Sequence, residues 1–277
     1  MTDSSSDHKT TTRGITLAVF FVLAFALMWA CFFTVAFVPI PASTLLGRGL
    51  ILLGAFAPSL AALAVTSFTE GRTGVQALLR QVTRWRVPAE FYVFALVFMA
   101  AIKLAAALVH RVAAGTWPRF GNESLFLIPV AIAFSTPFQI GEELGWRGYA
   151  LPRMAAKLGL PGASLLLGLI WGLWHLPQFF IREGDSYRQS FPVFVLGTTA
   201  LSVAFAWLYA RTNGSVFLTM LLHSAINNSK DIVPSGASGG ADTFGFHASP
   251  ISWIALALLW ACAAYFLFDM RKVEIHP

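Results

Sequence analysis

The chain has 277 residues, 57% of them hydrophobic and only 12% charged, with a mean hydropathy of +0.68. A soluble domain averages about 25% charged residues, so the composition excludes an ordinary soluble protein and defines a membrane protein. The net charge of +6 is assigned to basic loops beside the bilayer, and no nucleic-acid partner is expected.

Residues 1–13 (MTDSSSDHKTTTR) form a polar N-terminal tail, expected to be mobile, with no signal-peptide pattern. Eight apolar segments follow, at about 14–38, 49–68, 90–110, 124–150, 162–181, 191–210, 215–229 and 251–269. Each is close to the roughly 20 residues that a helix needs to cross a bilayer. They predict an all-α, polytopic membrane protein of about eight helices, a single transmembrane domain over 14–269, and a basic C-terminal tail at 270–277. Residues 69–88 carry four arginines with Leu78, Leu79, Val82 and Trp85 at helical spacing, which suits an amphipathic interfacial helix or a solvated loop helix. Cys31 and Cys262 lie singly in apolar segments and imply packing rather than a disulfide.

Eight spans place both termini on one side. That side collects Lys9, Arg13, Arg72, Arg80, Arg84, Arg86, Arg153, Lys157, Arg211, Arg271 and Lys272. The other collects Arg48, Arg111, Arg119, Arg182, Arg188 and Lys230, so the positive-inside rule puts both termini in the cytoplasm. The short tail and compact loops suggest a bacterial inner or plasma membrane.

Charge inside a span is costly and usually faces the bundle interior for a purpose. In Phe138-Gln-Ile-Gly-Glu-Glu-Leu-Gly-Trp-Arg-Gly148, Glu143 and Arg147 are four apart and suited to an intrahelical ion pair. Glu142 points about 100° away, free for another partner. It is the candidate general base if Arg147 neutralises Glu143; a structural Glu–Arg clamp is the plainer alternative. His175 sits among tryptophans, a setting that equally fits a core histidine, and Gly168-x-x-x-Gly172 would let a neighbouring helix approach closely. His223 and Asn227, four apart, share a face and could donate to an oxyanion. Glu142, His175 and His223 could also hold zinc, although no HExxH is present. A proton relay or transport site is a further reading of such a cluster.

Glu142-Glu143-x-x-x-Arg147, then Trp171-x-x-x-His175, then His223-x-x-x-Asn227, in that order on successive membrane helices, resembles the CPBP family, the CAAX proteases and bacteriocin-processing (Abi) proteins. The motifs cover residues 142–227. Trp171 stands where the family commonly has Phe; the aromatic is kept, and the change is expected to bear on pocket shape rather than on chemistry. The resemblance implies an intramembrane endopeptidase cleaving a peptide or protein tail, lipidated or not, near the cytoplasmic leaflet. It implies that Glu142 and His175 activate water, that His223 and Asn227 stabilise the oxyanion, and that Glu143 and Arg147 support the site. The mechanism it favours is glutamate-dependent, without metal or cofactor, with zinc on Glu142, His175 and His223 as the alternative. Non-enzymatic alternatives are a membrane scaffold or bacteriocin-immunity protein, or a proton-coupled transporter. Membrane lipid is the implied partner beside the substrate.

Overall fold

A computed structural model describes residues 4–38, 40–122, 124–230, 232–234 and 242–273, with side chains described from residue 15 onward. Among these residues there is no strand: the protein is all-α. Its helices are α1 (Ser4–Phe37), α2 (Leu45–Ala55), α3 (Ala57–Arg80), α4 (Ala89–Ala114), α5 (Ile128–Ser135), α6 (Ile140–Glu143), α7 (Leu151–Trp174), α8 (Phe191–Arg211), α9 (Val216–Ser229) and α10 (Pro250–Asp269). Short 3-10 turns lead into α5 and join it to α6, and a π-helical segment, Leu144–Ala150, joins α6 to α7.

Among the described residues, five helical runs are long and apolar enough to cross a membrane, or six when α2 and α3, bent by 51° about Phe56, are taken as one span. The expected count of eight is not reached on this measure for two reasons. The fourth and fifth expected spans are fused in one helical run, Leu125–Phe180. The seventh, α9, has 14 residues, about 21 Å at 1.5 Å per residue, short of the roughly 30 Å hydrocarbon core.

The fused run doubles back on itself. Its start is tied to Ile232 through Gly121, and its end packs Phe180 on Phe33 and Phe37. Its middle is elsewhere, with Arg153 paired to Glu70 at 2.6 Å. The reversal sits at Gly159 (φ +67°), a left-handed conformation that glycine adopts without strain, followed by Pro161, which pre-sets a new helical start. The helix carrying Glu142 thus runs on past Lys157 before turning, as the sequence allowed.

These ties define two ends of the bundle. At one, Arg153 meets Glu70, Arg84 donates to the Asn213 carbonyl, and Arg211 pairs with Asp269. At the other, Glu183 accepts from the Ser43 amide, Lys230 pairs with Asp185, and Ser190 donates to Gly245.

Two local expectations change. The described part of the N-terminal tail, from Ser4, continues as helix into α1. The interfacial helix at 69–88 ends at Arg80, with a break at Gly71 (φ +65°); Leu78 is buried while Trp85 is exposed. In the loop 230–250, residues 231 and 235–241 lie outside the described residues, as do 274–277 of the C-terminal tail. Cys31 and Cys262 are free.

The Gly168/Gly172 expectation holds. A Cβ on Gly168 would lie 2.7 Å from the Thr199 Cα, and one on Gly172 would lie 2.5 Å from Thr198 Oγ1, so α7 and α8 touch backbone to backbone. Across the bundle, Trp174 Nε1 donates to Ala24 O and Trp29 Nε1 to Trp174 O, locking α7 to α1.

Candidate active site

Glu142 and Glu143 end α6 just before the π-helical segment, a departure from α geometry that recurs at functional sites. The first helix turn of α3 holds α6 in place: Ser59 Oγ donates to Ile140 O, and Gly145 lets Pro58 approach where a Cβ would meet its carbonyl at 2.5 Å.

Glu143 and Arg147 are both fully buried and form the expected i,i+4 pair at 2.8 Å. The same Glu143 Oε1 accepts from His223 Nδ1 at 2.8 Å, bringing α9 to α6. Arg147 is sandwiched between the rings of Trp171 (4.3 Å) and Phe205 (4.0 Å). Desolvating a guanidinium costs several kcal/mol, and here one carboxylate and two π faces offset it. Glu143 Oε2 and Arg147 Nε and Nη2 have no hydrogen-bond partner among the described residues. The expected Glu143–Arg147 ion pair is thus present, with His223 as a third member.

Glu142 faces differently. Its Oε2 accepts from Trp171 Nε1 at 2.6 Å and lies 4.0 Å from His175 Nε2. His175 caps the C-terminal end of α7, and its Nδ1 donates to the Trp171 carbonyl at 2.7 Å. Because a carbonyl only accepts, that bond places the proton on Nδ1 and leaves Nε2, in the neutral ring, with its lone pair toward Glu142. Trp171 thus holds both groups, the carboxylate by its indole and the imidazole by its backbone. Trp171 in place of Phe therefore adds a contact to Glu142 besides its ring, since phenylalanine has no N–H to give. The motif spacing alone could not show this, because the partner lies 29 positions away on the other limb of the doubled-back run.

Glu142, His175, His223 and Asn227 all line one cavity of about 720 Å³, together with Trp171 and Gln178. His223 is buried, whereas Asn227, one helical turn on, is exposed to the cavity. The neighbouring Asn228 has a structural task, donating to Ser135 Oγ and the Ser224 carbonyl. Among the described residues no three His, Cys, Asp or Glu side chains are arranged to hold a metal ion. Of the zinc donors offered by the sequence, Glu142 and His223 are engaged by Trp171 and Glu143 respectively.

The cavity continues to Asp185, Ser186, Gln189, Lys230 and Pro234, at the end of the bundle away from the arginine-rich contacts. Toward those contacts it is sealed: Trp146, Arg147, Tyr149, Phe205 and Leu208 are buried, and Gln81 bridges Tyr209 and the Gly148 carbonyl.

Fold and site define a class: a polytopic α-helical membrane protein with a carboxylate–imidazole centre in a polar cavity of its interior. Residues 121–229 match the family described as type II CAAX prenyl endopeptidase Rce1-like, a segment that contains the three motifs. The chain is also similar to CAAX prenyl protease 2 of Methanococcus maripaludis, with 31% identity over 115 residues. That match covers 39% of this chain and 40% of the relative's length.

Proposed function

We propose that the protein is an intramembrane endopeptidase that hydrolyses a peptide bond with water activated by Glu142 and His175. The observation that carries this is the 4.0 Å gap between Glu142 Oε2 and His175 Nε2 in a cavity that also holds His223 and Asn227. The gap is too long for a direct hydrogen bond and suits one water held by both groups. The family match over 121–229 and the relative's name support proteolysis rather than transport.

In this mechanism the water adds to the scissile carbonyl carbon as its proton passes to Glu142. The carbonyl oxygen becomes an oxyanion, which accepts from His223 Nε2 and Asn227 Nδ2. Since His223 donates its Nδ1 proton to Glu143, it offers an Nε2 proton only as the imidazolium. Collapse of the oxyanion breaks the C–N bond, and Glu142 returns the proton to the leaving amine. No step calls on a metal or cofactor.

The test uses purified protein in detergent with a mixture of farnesylated and unmodified peptides, products being read by mass spectrometry. Glu142→Gln abolishes cleavage. Asn227→Ala lowers kcat by about 10²-fold, the scale of a lost oxyanion donor, without altering thermal stability, because its side chain is exposed to the cavity. Cleavage by wild type persists with a chelator; loss with chelator refutes the metal-free mechanism. Cleavage unchanged in Glu142→Gln refutes the site.

A further inference from the structure

We propose that the cleft between residues 83–88 and residues 211–213 is a binding site for the headgroup phosphate of an anionic phospholipid. The cleft shares no lining residue with the Glu142 cavity, and the proposal does not depend on the proteolytic reading.

Its depth in the membrane follows from the helices beside it. α4 begins at Ala89 and α8 ends at Arg211, and both are long and apolar enough to cross a bilayer. The link between α3 and α4 and the turn after α8 therefore lie at headgroup level. Trp85, in that link, is 56% exposed. An indole has an apolar body and one polar edge, and tryptophan is enriched at this interface.

The two walls of the cleft are fixed to each other, although far apart in sequence. Arg84 Nη1 donates to the Asn213 carbonyl at 2.7 Å, Ser215 Oγ donates to the Arg84 carbonyl, and the Val216 amide donates to Gln81 O. Asn213 is left-handed (φ +52°), a conformation uncommon outside glycine, and its carbonyl is the one that Arg84 holds. The result is a preformed cleft of about 450 Å³.

Three arginines line it: Arg84, Arg86 and Arg211. Arg211 is paired with Asp269, which also accepts from Trp207 Nε1 at 2.8 Å. Arg84 and Arg86 have no ion pair among the described residues, and Arg86 has no hydrogen bond there either. The Arg86 guanidinium lies 5.2 Å from the centre of the Trp85 ring, a contact that leaves its N–H edge available. Forked N–H donors match phosphate oxygens, and basic pockets between membrane helices take lipid headgroups. A merely solvated basic face needs neither a pinned backbone nor an exposed indole. The apolar surface that favours a lipid over a free phosphate is on α4, where Val93 and Val97, one helical turn apart, are exposed just beyond the cleft.

The test titrates delipidated full-length protein in detergent with dioleoyl phosphatidylglycerol, bound lipid being counted by native mass spectrometry. We expect one saturable adduct, bound more tightly than dioleoyl phosphatidylcholine. Arg86→Gln should weaken it about fivefold, the equivalent of about 1 kcal/mol for one arginine at the membrane surface. Its thermal midpoint should stay at the wild-type value, because Arg86 has no hydrogen bond to lose among the described residues. Arg119→Gln, which removes an exposed arginine outside the cleft, should leave lipid binding unchanged. Equal binding of the two lipids, or an equal loss in Arg86→Gln and Arg119→Gln, overturns the site, since either means diffuse attraction to the whole basic surface. If inorganic phosphate raises the thermal midpoint of wild type but not of Arg86→Gln, and phosphatidylglycerol shows no preference over phosphatidylcholine, the lipid assignment is overturned in favour of a free phosphate.

Discussion

Trp171→Phe isolates one hydrogen bond. Phenylalanine keeps an aromatic ring at this position, so the variant should keep the contacts with His175, His223 and Arg147 that the aromatic face makes. What it loses is the indole N–H, which reaches Glu142 Oε2 at 2.6 Å. A hydrogen bond to a charged group is worth about 1.5–3 kcal/mol net. Without it, Oε2 is no longer held at its 4.0 Å separation from His175 Nε2, and the place proposed for the water loses its definition. If half of the bond energy appears in the barrier, roughly 0.75–1.5 kcal/mol, kcat falls about 4- to 12-fold while KM is unchanged. The assay is steady-state peptide cleavage in detergent, with Glu142→Gln as the zero. A spectrum of ¹⁵N-tryptophan-labelled protein gives a readout free of activity: one indole resonance should move in Glu142→Gln. Trp171→Phe cleaving at the wild-type rate, with no indole resonance responding to Glu142→Gln, would refute the reasoning.

Other perturbations test the frame around the site. Arg147→Met leaves the fully buried Glu143 carboxylate with His223 as its one hydrogen-bond partner and should cost about 3–5 kcal/mol. The thermal midpoint in detergent should drop by about 10 °C, and the double variant with Glu143→Gln should recover part of that loss; simple addition of the two single effects would contradict a coupled pair. Gly168→Val pushes a side chain into α8 at Thr199 and Ser202 and should cost about 1–3 kcal/mol, read as lower stability with Glu142-dependent cleavage retained in the surviving folded fraction. A neutral result there would mean that α7 and α8 pack less closely than described.

Much of this protein was legible without coordinates. Composition and the length of apolar segments determine an all-α membrane protein, since only a closed hydrogen-bonding pattern survives in hydrocarbon. The Glu143–Arg147 pair and the small-residue face of α7 were readable because helical periodicity puts residues four apart on one side. Motif order picked out Glu142, His175, His223 and Asn227, which line one cavity.

Tertiary structure decided the rest, for physical reasons. Periodicity says nothing about contacts between limbs, so the Trp171–Glu142 bond, the Glu143–His223 bond and the cover of Phe205 over Arg147 emerge only once α6, α7, α8 and α9 are packed. The turn at Gly159 fuses two expected spans into one doubled-back run, because glycine accepts φ +67° without strain and apolar sequence continues on both sides. A cavity is a property of how helices splay, not of any one of them, so which end it opens to could not be read from the segment that carries the chemistry.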